Sequence, residues 1–127
     1  MNVLIDSSVW IDYFRGDEAI ADRVDALISE NAIVCCDIIL AELLPALLHR
    51  KEHRLAALLQ EIERQPLTID WDAVIVMQTL CLKHGINKVG IPDLLIAQYA
   101  MQQGYTLFSR DAHFRLMARH FPISIEE

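Results

Sequence analysis

The chain has 127 residues, 54% of them hydrophobic, and a formal net charge of −7. Length and composition predict a single domain over residues 1–127 with a substantial core, and the acidic balance excludes a generally basic nucleic-acid binder. No apolar run approaches the ~18–20 residues that span a bilayer, and no basic stretch leads a long apolar one as in a signal peptide. A cytoplasmic protein without membrane association is therefore expected.

The first element, "NVLI", is short, apolar and β-branched, which predicts a buried strand. Ser7 and Ser8 follow as candidate caps for a helix whose Trp10, Tyr13 and Phe14 recur three or four apart. Gly16 and Asp17 break it, and Ile20, Val24, Leu27 and Ile28 mark a second helix. "AIVCC" predicts a second strand, after which Asp37 is placed to cap a leucine-rich helix. Pro45 lies inside that helix and cannot donate to the Ala41 carbonyl, so a kink or restart is expected there. Leu55, Leu58, Leu59 and Ile62 mark the next helix, "PLTI" a third strand, and "DAVIVMQTLCLKHG" a helix stopped by Gly85. "DLLIAQYAMQQG" is apolar nearly all round and predicts a buried helix. "YTLFS" is a strand, "DAHFRLMARH" a helix and "PISI" a last strand. Strands alternate with helices, the pattern of an α/β fold with a mainly parallel central sheet flanked on both faces by helices. Cys35, Cys36 and Cys81 form no C-x-x-C pair and suit reduced core thiols.

Four acids do not fit their surroundings. Asp6 closes the first strand, Asp111 follows the "YTLFS" strand, Asp93 opens a buried helix, and Glu42 interrupts "IILAELLPALL". In a parallel sheet, functional groups gather at the carboxyl ends of the strands. Asp93 after Pro92 and Asp111 after Ser109 also suit plain helix capping. Capping does not explain Glu42, and with Ser7 and Ser8 as caps the Asp6 carboxylate stays free. Buried carboxylates brought together repel, so they protonate or bind a cation. An all-oxygen donor set selects Mg²⁺ or Mn²⁺ over zinc, and neither an H-E-x-x-H segment nor a glycine-rich phosphate loop is present. Such a site suits phosphodiester hydrolysis. Its substrate would be met by local basic groups: His49, Arg50, Lys51, His53 and Arg54 in one run, Lys83 and Lys88 around Gly85, and Arg110, Arg115 and Arg119 near the last acid. Each run also reads as a solvated helix end.

Taken in order, "LIDSSVWIDYF", "AEL", "IPDLLIA" and "SRDAHF" resemble the PIN domain, and more narrowly the VapC-type toxin ribonucleases of bacterial toxin–antitoxin pairs. The resemblance runs from Asp6 to Phe114. It implies a PIN fold in α/β/α layers and Mg²⁺- or Mn²⁺-dependent cleavage of RNA. By position, Asp6, Glu42, Asp93 and Asp111 match the family's acidic quartet, as catalytic and metal-holding residues. Ser8 matches the small polar residue that supports the first Asp, and Ser109 stands where the family usually has Thr. The resemblance also implies a homodimer held inactive by a VapB-type antitoxin. Two other readings stand beside it. A HAD-like phosphatase would use Asp6 as nucleophile but needs an acid two residues on, where this chain has Ser8. A non-catalytic PIN-like binding module would tolerate a degraded quartet, and here all four acids are present. The aromatic residues of the first helix and the leucines from Leu40 to Ile62 read either as core or as partner-binding surface.

Overall fold

The computed structural model describes residues 1–126. Four strands, β1 (Val3–Ile5), β2 (Ile33–Val34), β3 (Thr106–Phe108) and β4 (Ser124–Ile125), form one sheet in the order β2-β1-β3-β4. Every pairing is parallel. Seven helices flank it: α1 (Ser7–Phe14), α2 (Glu18–Ser29), α3 (Asp37–His49), α4 (His53–Gln60), α5 (Trp71–Lys83), α6 (Ile91–Gln103) and α7 (Ala112–Met117). The expected α/β architecture is present, and its sheet is parallel throughout. β1 lies inside the sheet and its three side chains are fully buried, as a strand covered on both faces requires. Helix α6 is also buried nearly all round, from Leu94 through Ala100. Cys35, Cys36 and Cys81 are free and buried, and burial pushes the Cys35 thiol up to about 12, so these sulfurs belong to the core. No helix among the described residues is long and apolar enough to cross a membrane.

Three local expectations need correction. "PLTI" is not a strand; residues 63–70 run as irregular backbone between α4 and α5. Its backbone groups are satisfied by side chains of α6 instead of a ladder. Tyr99 Oη accepts from the Gln65 N–H at 2.9 Å, Gln98 brackets Asp70 at 3.1 and 3.0 Å, and Gln102 donates to the Thr68 carbonyl at 2.9 Å. Pro45 causes no restart, because Asp37–His49 is one helix. Asp37 is the first residue of α3, not its cap; Cys36 holds that place without a side-chain hydrogen bond.

The topology sets the site. The Asp6 N–H donates to the Phe108 carbonyl, continuing the β1–β3 ladder, while the Asp6 carbonyl accepts from Val9 and Trp10 N–H groups of α1. Asp6 is therefore both the last rung of the sheet and the N-cap position of α1. The register pairs Ile5 with Phe108, so Ser109 comes beside Asp6 at the carboxyl edge.

Candidate active site

The Asp6 corner is wired through one carboxylate oxygen. Asp6 is only 6% exposed. Its Oδ2 accepts hydrogen bonds from Ser109 Oγ at 2.8 Å and Ser8 Oγ at 3.0 Å. Those hydroxyls also accept: Ser8 Oγ from the Arg110 N–H at 3.1 Å, and Ser109 Oγ from the Asp111 N–H at 3.0 Å. The expectation that Ser7 and Ser8 cap α1 is corrected: Asp6 holds the N-cap position, and its carboxylate, as expected, makes no cap bond. Ser8 spends its hydroxyl on Asp6 itself, and Ser7 Oγ lies 3.5 Å from Glu42 Oε1.

The opposite corner is not wired. Asp93 sits in the first turn of α6, whose N-cap is Gly90 without a side-chain bond, so capping does not explain this carboxylate. Asp111 does cap α7, accepting from the His113 N–H at 2.9 Å. One oxygen each of Asp93 and Asp111 and a ring nitrogen of His113 lie within 4.8 Å of one another. The His113 Nδ1 atom is 3.2 Å from Asp111 Oδ1 but out of line for a hydrogen bond, and it is buried without a partner. His113 was not among the residues singled out in the sequence; its position two places after Asp111 in "SRDAHF" was the available signal.

Electrostatics join the two corners. Burial first, then the charges of Asp111 and Asp6, hold the Asp93 carboxyl above its usual range, with His113 opposing. Burial, then Asp6 and Asp93, raise the Glu42 carboxyl, with the Ser7 hydroxyl opposing. Glu42 reaches the site from the surface side of α3. Glu42 thus feels Asp6 and Asp93, and Asp93 feels Asp111 and Asp6. No Lys or Arg among the described residues pairs with any of them. Arg110 is directed elsewhere, to Asp12 at 3.3 Å and Asp17 at 3.7 Å. Lys88 lies in the loop before α6, in left-handed backbone conformation (φ 65°), with no ion pair to the quartet. Oxygen-rich donors and mutual repulsion fit a hard divalent cation, whereas the His113 imidazole beside them is a softer donor than the all-oxygen set expected from the sequence.

The PIN domain family model matches residues 3–120. The chain is similar to VapC ribonuclease Mb1587 of Mycobacterium bovis and to Ribonuclease VapC11 of Mycobacterium tuberculosis, each 34% identical over 124 residues and covering 92% of both chains. Among solved structures it is similar to VapBC2 from Rickettsia felis bound to a DNA fragment from their promoter. There the TM-score is 0.77 at 19% identity, over 99% of this chain and 98% of that one. The chain belongs to the PIN-domain family, among its VapC-type ribonucleases.

Proposed function

We propose that the chain is a metal-dependent endoribonuclease, the toxin of a VapBC-type pair, with Asp6, Glu42, Asp93 and Asp111 as its catalytic and metal-holding residues. The observation that carries this reading is the approach of Asp93 and Asp111 oxygens within 4.8 Å, in the field of Asp6 and with Glu42 raised by burial, Asp6 and Asp93, with no Lys or Arg among the described residues paired to any of them. The relatives' names as ribonucleases support the substrate class. Bound Mg²⁺ or Mn²⁺ supplies positive charge against a phosphoryl oxygen and lowers the pKa of a coordinated water. The chain's own groups do the rest. Ser8 and Ser109 orient the Asp6 carboxylate, leaving its second oxygen for the cation. Burial and neighbouring carboxylates raise Asp93 and Glu42, and a cation held by them would oppose that rise. In the hydrolysis, water adds to phosphorus, the P–O bond to the leaving nucleotide breaks, and the departing oxygen takes a proton. A HAD-like mechanism lacks its second acid, since Ser8 occupies that position and its hydroxyl is bound to Asp6.

Two surfaces support the expected partners. A groove of about 530 Å³ is lined by Trp10, Tyr13, Phe14, Ile28, Leu55 and Leu58 among others, and it suits an amphipathic segment of a VapB-type antitoxin. The known VapBC structure is a two-protein complex of this fold. The outward side of α5 exposes Trp71 (55%), Ile75 (64%) and Leu82 (62%), the kind of apolar patch that a second copy covers in a homodimer. The protein would act in the cytoplasm, where its RNA and its reduced thiols both belong.

The test is incubation of labelled RNA with the purified chain in Mn²⁺, in chelator, and beside the Asp6→Asn variant. Cleavage only by the parent and only with the ion supports the reading. Cleavage that survives both the chelator and Asp6→Asn removes it.

A further inference from the structure

A second groove, of about 450 Å³, runs between α1 and α3 and includes Glu42 in its lining. Arg15 and Arg50 line the same groove. Arg15 follows the last residue of α1 and Arg50 the last residue of α3, so two helix ends set the spacing of their Cα atoms. Along α3, Glu42 and Arg50 are separated by roughly 12 Å. Both arginines are exposed, and neither is paired with a carboxylate among the described residues. Glu52 shares the lining without binding either of them. Arg23, Arg64 and Arg110 are committed to acids, and the other arginines unpaired among the described residues, Arg54, Arg115 and Arg119, do not line this groove. The lining is formally neutral, Arg15 and Arg50 standing against Glu42 and Glu52, but the two guanidinium groups are paired with neither acid and stay available to a phosphate. Phe14 and Leu47 give the groove apolar walls on which a base can rest.

We infer that Arg15 and Arg50 form a phosphate-binding subsite that holds the single-stranded RNA flanking the cleaved bond, leading it along the α1–α3 groove to the quartet at Glu42. This rests on the nuclease reading above. The guanidinium fork suits bidentate contact with phosphate oxygens, and contact to the backbone positions a strand without selecting its sequence. The groove thus accounts for substrate capture by an acidic protein. It leaves sequence choice to other residues.

The experiment compares the parent chain with Arg15→Gln/Arg50→Gln and Arg15→Lys/Arg50→Lys double variants. Two quantities are read: KM and kcat on a labelled single-stranded oligoribonucleotide, and binding of its non-cleavable 2′-deoxy counterpart by anisotropy as salt is raised. The glutamine pair is expected to raise KM roughly tenfold with kcat retained, and to flatten the log–log salt slope of binding by about 1.4, or ~0.7 for each phosphate no longer neutralised. The lysine pair should keep most of the slope. Unchanged KM and slope in the glutamine pair would overturn the subsite while leaving the nuclease in place; a lowered Tm in that case would assign the arginines to helix-end stabilisation. Weakened binding of a co-encoded partner protein with unchanged KM would give the groove to that partner and equally overturn the proposal. Arginine-dependent binding by a parent that does not cleave would keep the subsite and remove the nuclease. A parent that neither binds nor cleaves removes both.

Discussion

Asp6 and Asp93 are carboxylates near enough for the first to help raise the second, yet the chain treats them in opposite ways. Asp6 is buried and receives two hydroxyl donors, each of which is fixed in turn by a backbone N–H. Asp93 is less buried, receives no protein donor among the described residues, and faces Asp111 across less than 4.8 Å. The difference separates two tasks. The Asp6 corner is preorganised by folding, whatever ions are present. The Asp93 corner stores repulsion that only a proton or a cation relieves. Each half can be broken separately, and the two should fail differently.

The largest effect is expected from Asp93→Asn. Cleavage should fall by roughly two orders of magnitude or more, measured as initial rate on labelled RNA, while the metal-free protein melts at a higher temperature than the parent. Asp6→Asn should lose activity to the same degree but melt lower, because its amide presents an N–H₂ to groups placed to serve a carboxylate.

Next in size is Ser109→Ala. It strands the Asp111 N–H and one bond to Asp6 in a buried setting. Urea unfolding should show a loss of about 1–3 kcal/mol, with Ser8→Ala losing less because its site is more exposed. A Ser109→Thr variant should regain most of the loss.

The pH dependence comes third. Glu42 and Asp93 are both raised, so the folded state binds protons more tightly than the unfolded chain. Their linked stability is fully present below the ordinary carboxylate pKa of about 4 and declines as pH rises through the folded values. Thermal melts of the metal-free parent should therefore show this pair lowering Tm toward neutral pH, and Asp93→Asn should flatten that part of the curve.

The smallest effect is expected for His113→Gln. His113 opposes the rise at Asp93, so its removal should move the Asp93-linked decline to slightly higher pH. Cleavage should fall by about tenfold, less than for Asp93→Asn.

The four acids drew notice in the sequence because their neighbours are apolar, but only Asp6 is buried; Asp93 and Asp111 are half-buried and Glu42 is exposed. A glutamate among leucines and an aspartate at the end of "NVLI" are visible without coordinates. The parallel sheet was legible because short apolar runs alternate with helical ones. What was hidden depends on pairings far apart in the chain. Ser109 meets Asp6 only because the β1–β3 register brings residues 103 positions apart together. "PLTI" looks like a strand locally, and only the side chains of Gln98, Tyr99 and Gln102 on a distant helix reveal why it needs no partner strand. Arg15 belonged to no basic run, and its pairing with Arg50 across a groove arises from where two helices end.

The contrast between the two corners is tested most directly by the melting temperature of the parent and of Asp93→Asn in chelated buffer, then with Mn²⁺ added. The parent should rise with Mn²⁺, as a ligand bound only by the folded state requires, while Asp93→Asn should begin higher and respond little. A parent unmoved by Mn²⁺, or an Asp93→Asn protein that begins lower than the parent, would contradict the account.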